Sequence, residues 1–103
     1  MLDYMEYTIQ QNSLDSIVVN LVFKDPSKNN ADKKDLKQFL DEFSSLDSEI
    51  IDLDVQCESL CKLCLKVRYP MEYWSNLDEN TKQKVILSYS HEFQEAYNQQ
   101  FPD

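Results

Sequence analysis

Ile50 to Tyr69, IIDLDVQCESLCKLCLKVRY, alternates in character more regularly than any other stretch of the chain. Ile51, Leu53, Val55 and Cys57 fall on one face, with Asp52, Asp54, Gln56 and Glu58 on the other. Beyond Ser59 and Leu60 the alternation resumes. Cys61, Leu63, Leu65, Val67 and Tyr69 line one side; Lys62, Cys64, Lys66 and Arg68 line the other. A period of two over two consecutive segments predicts a β-hairpin with one buried face. With Glu58 to Leu60 as the loop, Cys57 opposes Cys61, Val55 opposes Leu63, Leu53 opposes Leu65 and Ile51 opposes Val67. The outward faces pair by charge, Asp52 lying opposite Lys66 and Asp54 diagonal to Lys62 and Lys66. Such cross-strand pairs contribute roughly 0.2–1 kcal/mol each. A helical stripe through Ile50, Leu53, Cys57, Leu60, Cys61 and Cys64 is the rival pattern.

The remaining elements follow from similar signals. Met5, Tyr7 and Ile9 alternate with Glu6, Thr8 and Gln10, which predicts a strand over 4–10. The turn-rich QNSLD over 11–15 leads into Ser16 to Lys24, SIVVNLVFK, whose β-branched content marks a second strand. Ile17, Val19, Leu21 and Phe23 form its inner face. Val18 and Val22 add apolar character to the other face, so cover on both sides is expected. Asp25-Pro26 ends it, because proline has no N–H to give a ladder. From Asp32 to Leu46 the period becomes helical, with Leu36, Phe39, Leu40, Phe43 and Leu46 on one stripe. After Pro70 a connector carries Tyr73 and Trp74. Ser75-Asn76-Leu77-Asp78 resembles a capping box. A helix from Leu77 to Gln100 then presents Val85, Ile86, Tyr89, Phe93, Ala96 and Tyr97.

The order ββαββα predicts an α+β two-layer sandwich: a four-stranded, mainly antiparallel sheet with two helices on one face. The 103 residues suit one domain, and a chain of that size buries enough surface to fold without metal or disulfide. The chain has no glycine. Phosphate-cradling loops, dinucleotide fingerprints and nucleophile elbows all depend on glycine, so those enzyme classes are excluded.

The formal net charge is −9. Acidic balance disfavours nucleic acid and anionic membrane as direct partners, since both need Lys and Arg to neutralise phosphates. It favours a basic protein partner, or simple solubility. The N-terminal MLDYMEYTIQ lacks a basic and then apolar leader, and no apolar run is long enough to span a bilayer. An odd number of cysteines, three, disfavours a closed disulfide framework. An intracellular, cytoplasmic protein is therefore expected.

Candidate chemistry is sparse. Cys57-x3-Cys61-x2-Cys64 matches the spacing by which radical-SAM enzymes hold an iron–sulfur cluster, but those enzymes need a far larger barrel and glycine-containing cofactor contacts. Zinc held by these cysteines and His91 is chemically sensible. Strand alternation, however, sends Cys64 away from the other two, and packing is the simpler role for the cysteines. His91 lies off the apolar stripe beside Glu92 and Glu95. No catalytic residue, metal or cofactor is expected.

The clearest electrostatic feature is the interval between Lys37 and Lys62, which has no Lys or Arg but holds Asp41, Glu42, Asp47, Glu49, Asp52, Asp54 and Glu58. These carboxylates are expected to form one negative rim. Tyr73 and Trp74 in the connector form a second candidate surface, since aromatics are enriched at interface hot spots. The expectation is a small, acidic, non-enzymatic protein that binds another protein. Its sharper form is an inhibitor or immunity-type protein covering a basic, nucleic-acid-binding surface. The alternative is a subunit or assembly chaperone docking through apolar and aromatic surface.

Overall fold

The computed structural model describes residues 1–11, 13–25, 38–43, 48–57 and 61–101. Four strands, β1 (Asp3–Gln11), β2 (Ser16–Asp25), β3 (Glu49–Cys57) and β4 (Cys61–Pro70), form one antiparallel sheet in the order β1-β2-β4-β3. Two hairpins therefore lie side by side, joined through β2 and β4, with β1 and β3 as the edges. A helical turn over residues 38–41, a short helix α1 (Met71–Trp74) and a long helix α2 (Glu79–Gln100) complete the chain. The α+β sandwich read from the sequence is the observed architecture.

The inner strands are the most apolar, as their position requires. In β2, Ile17, Val19, Leu21 and Phe23 are buried; in β4, Leu63, Leu65, Val67 and Tyr69 are. The register sets Val19 against Val67, Leu21 against Leu65 and Phe23 against Leu63. α2 covers this face with Ile86, Ser90, Phe93 and Tyr97, spaced at one helical period. Phe93 meets Phe23 at 5.2 Å between ring centroids and Phe39 at 5.6 Å. The turn at 38–41 thus sits on the same face as α2. The rest of the helix expected over Asp32 to Leu46 lies outside the described residues.

The hairpin predicted at Ile50 to Tyr69 forms, and the charge pairing is as expected. Asp52 opposes Lys66, Leu53 opposes Leu65, Val55 opposes Leu63 and Cys57 opposes Cys61. One position is corrected. Ile50, not Ile51, opposes Val67, because a register shift between Ile50 and Asp52 leaves Ile51 as the extra residue. A second shift, between Tyr4 and Glu6, puts Tyr4 rather than Met5 opposite Phe23. Met5 is 47% exposed and Ile51 39%. Each edge strand therefore carries one bulge, a common way of bending an edge away from further pairing.

The last helix also starts later than read. Asp78, not Ser75, is its N-cap, with the carboxylate accepting from the Thr81 N–H at 2.7 Å. Met71 to Trp74 forms one separate helical turn instead of a plain connector. Val18 is buried on the second face of the sheet between Gln10 and Arg68, its register partners.

Candidate functional site

Pro70 ends β4 and lies in an extended conformation at the head of α1, where a missing N–H costs nothing. The Met71 N–H donates to the Asp15 carbonyl at 2.7 Å, tying α1 to the β1–β2 turn. The two aromatics that follow are adjacent in that turn and so project about 100° apart. Trp74 is 5% exposed, lies against Tyr69 at 5.4 Å and has the Lys82 ammonium 5.6 Å above its ring. It closes one end of the core, so the partner surface expected at Trp74 is not presented there. Tyr73 is only half-buried and stacks on Tyr69 at 6.1 Å with an interplanar angle of 19°.

Beside Tyr73 an open groove of about 470 Å³ runs between the end of β4 and α2. Tyr69, Tyr73 and Tyr89 line it, with Lys84, Glu92 and Ser48. Ser48, one residue before β3, is buried. Burial pushes the Tyr69 phenol far above its ordinary range, helped by Tyr89 and Tyr73. Burial does the same to Tyr89, with Glu92 adding to it. Both phenols therefore stay neutral and able to donate. The Tyr89 hydroxyl is buried, and among the described residues it has no hydrogen-bond partner. Sequence reading placed Tyr89 on the apolar stripe and missed this groove, because its walls come from segments distant in sequence, at Ser48, Tyr69, Tyr73 and residues 84–92.

The described acidic residues of the expected rim fall in two places. Glu49, Asp52 and Asp54 lie exposed along the edge strand β3. Glu49 is ion-paired with Arg68, Asp52 faces Lys66 and Asp54 faces Cys64. The outward face of the sheet carries Asp3, Glu6, Glu49, Asp52 and Asp54 against Lys24, Lys62, Lys66 and Arg68, a near balance. Asp41 and Glu42 are exposed at the end of the helical turn, in the other layer. Asp47 and Glu58 lie outside the described residues.

Cys64 is half-buried on the outward face. Cys57 and Cys61 are backbone partners at the hairpin end; their side chains lie outside what is described. His91 is exposed on α2, its Nε2 3.1 Å from Glu95 one turn on. Among the described residues no three His, Cys, Asp or Glu side chains converge on a point where a metal ion could sit, and no helix is long and apolar enough to cross a membrane.

No family model, curated protein or solved structure matches this chain.

Proposed function

We propose that this is a non-enzymatic protein-binding protein that meets a basic surface of its partner with the acidic edge of its sheet. The observation that carries the reading is the placement of Glu49, Asp52 and Asp54 on an edge strand, exposed, with no strand beyond them among the described residues. Asp41 and Glu42 add exposed carboxylates from the helical layer. An excess of carboxylates speeds encounter with a cationic partner and disfavours anionic ones. In the sharper form the partner is a protein whose basic surface would otherwise hold nucleic acid, and this chain acts as its inhibitor.

The pairing with Lys66 and Arg68 shapes the test. Reversing Asp52 to Lys would set two ammonium groups opposite each other and disturb the sheet. Neutral variants avoid that. The quadruple change Asp41→Asn, Glu42→Gln, Asp52→Asn and Asp54→Asn should weaken capture of the partner by at least tenfold. Binding by the unchanged chain should fall steeply between low and high salt. Equal partner recovery at both salt concentrations, and from the neutral variant, would rule the mechanism out.

A second reading is favoured by a different observation, the open groove beside Tyr73 with the unpartnered Tyr89 hydroxyl. There the chain would be a subunit or assembly factor docking a side chain of its partner into that groove. Tyr73→Ala and Tyr89→Phe would then reduce binding while salt would not. Tyr73 replaces Trp74 as the residue to change, because Trp74→Ala would unfold the end of the core.

A further inference from the structure

The hairpin tip holds a feature that neither binding reading uses. β3 ends at Cys57, β4 begins at Cys61, and the two are direct register partners. Opposed residues in an antiparallel ladder have Cα atoms about 5.5 Å apart in a hydrogen-bonded pair and about 4.5 Å apart otherwise. Disulfides span Cα separations of about 4.4–6.8 Å. Either kind of pair therefore meets the requirement on backbone placement alone. Cys64 does not compete. It stands three positions beyond Cys61 on the same strand, roughly 10 Å along it, opposite Asp54 on one side and Val22 on the other.

We propose that Cys57 and Cys61 are a dithiol site that closes to a cross-strand disulfide by exchange with a low-molecular-weight disulfide such as oxidised glutathione. One cysteine thiolate attacks a sulfur of the reagent, forming a mixed disulfide and releasing one reagent thiolate. The thiolate of the register partner then attacks the protein sulfur of that mixed disulfide. The second S–S bond forms between Cys57 and Cys61, and the second reagent thiol leaves. Two protons and two electrons pass from the protein dithiol to the reagent, giving one protein disulfide and two reagent thiols. The second step is intramolecular between residues already in register, so the mixed disulfide is short-lived. The bond ties the acidic edge strand β3 to the central strand β4 at the loop end of the hairpin. It encloses only three residues, so it restricts the unfolded chain less than a long-range bridge would and is suited to reversal.

Trypsin separates the outcomes, because Lys62 divides the cysteines. Cys57 and Cys61 fall in the peptide 38–62, and Cys64 in the peptide 63–66. The folded chain would be equilibrated in glutathione buffers of graded ratio, quenched with acid, alkylated and digested. The expected result is a 38–62 peptide lighter by two hydrogens and unalkylated, restored by dithiothreitol, with Cys64 alkylated throughout. The Cys64→Ser chain should behave identically. The Cys57→Ser chain should accumulate glutathione on Cys61 instead. Full alkylation of Cys57 and Cys61 at every ratio, stable glutathionylation of both, or a cross-link joining 38–62 to 63–66 would each overturn the assignment.

Discussion

Phe93 touches Phe23, Phe39, Phe43 and Tyr97 and is fully buried. It holds the sheet, the helical turn and α2 together at one point. Phe93→Ala should destabilise the protein by about 3–5 kcal/mol, read from urea unfolding. Ser90, one helical turn from Ile86, is equally buried, but its hydroxyl donates to the Ile86 carbonyl at 2.8 Å. That carbonyl belongs to the helix's own ladder, so Ser90→Ala leaves no polar group stranded. Its effect should stay within about 0.5 kcal/mol. The pair shows what residue type hides. The sequence marks Phe93 as core at once, whereas Ser90 is buried only because it completes the spacing 86, 90, 93, 97. Asn98 had no signal at all. It accepts from the Leu2 N–H at 2.7 Å and donates to the Leu2 carbonyl at 3.2 Å, a contact across nearly the whole chain.

Asp78 carries a residue-scale pH effect. Its carboxyl sits below the usual range because it accepts the Thr81 N–H at the helix head. A depressed folded pKa contributes stability that is present above the unfolded value, near 3.9, and is lost as pH falls through the folded one. The urea midpoint of the natural chain should therefore drop in acid more than that of Asp78→Asn. Equal acid slopes for the two chains would exclude the cap as the source.

At the scale of the element, α2 can be tested by neighbours. Ile86 is buried and Leu87 is 48% exposed. Ile86→Ala should cost about 2–5 kcal/mol, and Leu87→Ala a small fraction of that. Comparable losses would mean that the helix is rotated from the position described. For the strands, Asp52→Lys should cost roughly 0.2–1 kcal/mol, since it replaces an attractive pair with Lys66 by a repulsive one. The charge pattern makes this register legible in the sequence. The bulges were not legible, for a definite reason. Ile50 and Ile51 are both apolar, as are Tyr4 and Met5 in large part, and a period of two cannot say which member of such a pair faces inward. The choice falls to the neighbouring strand and the helix above it.

The whole molecule should be most sensitive to base. Tyr69, Tyr89 and Tyr97 all have phenols raised well above their ordinary range, burial being the largest cause in each. A raised folded pKa contributes stability that is complete below the unfolded value of about 10 and is lost as pH climbs through the folded one. Thermal unfolding midpoints should hold steady up to that pH and then fall. The tyrosinate absorbance of these three rings should appear together with unfolding, not before it. Early ionisation in the folded state would contradict their burial.

What the sequence determined by itself was local. Alternation, helical period and proline placement were enough for the element types, the β3–β4 hairpin and the α+β class, because each depends on a few adjacent residues. The strand order, the two bulges, the burial of Trp74 and the tyrosine groove depended on tertiary structure. They arise where side chains distant in sequence compete for one space. The acidic interval shows the division most clearly. Its carboxylates and the facing of Asp52 by Lys66 were plain to read in order, but the bulge that sets Glu49 opposite Arg68 and the placement of Asp41 and Glu42 in the helical layer were decided by tertiary structure. Charge is a property of the residue, whereas the field it makes depends on which strand lies next to it.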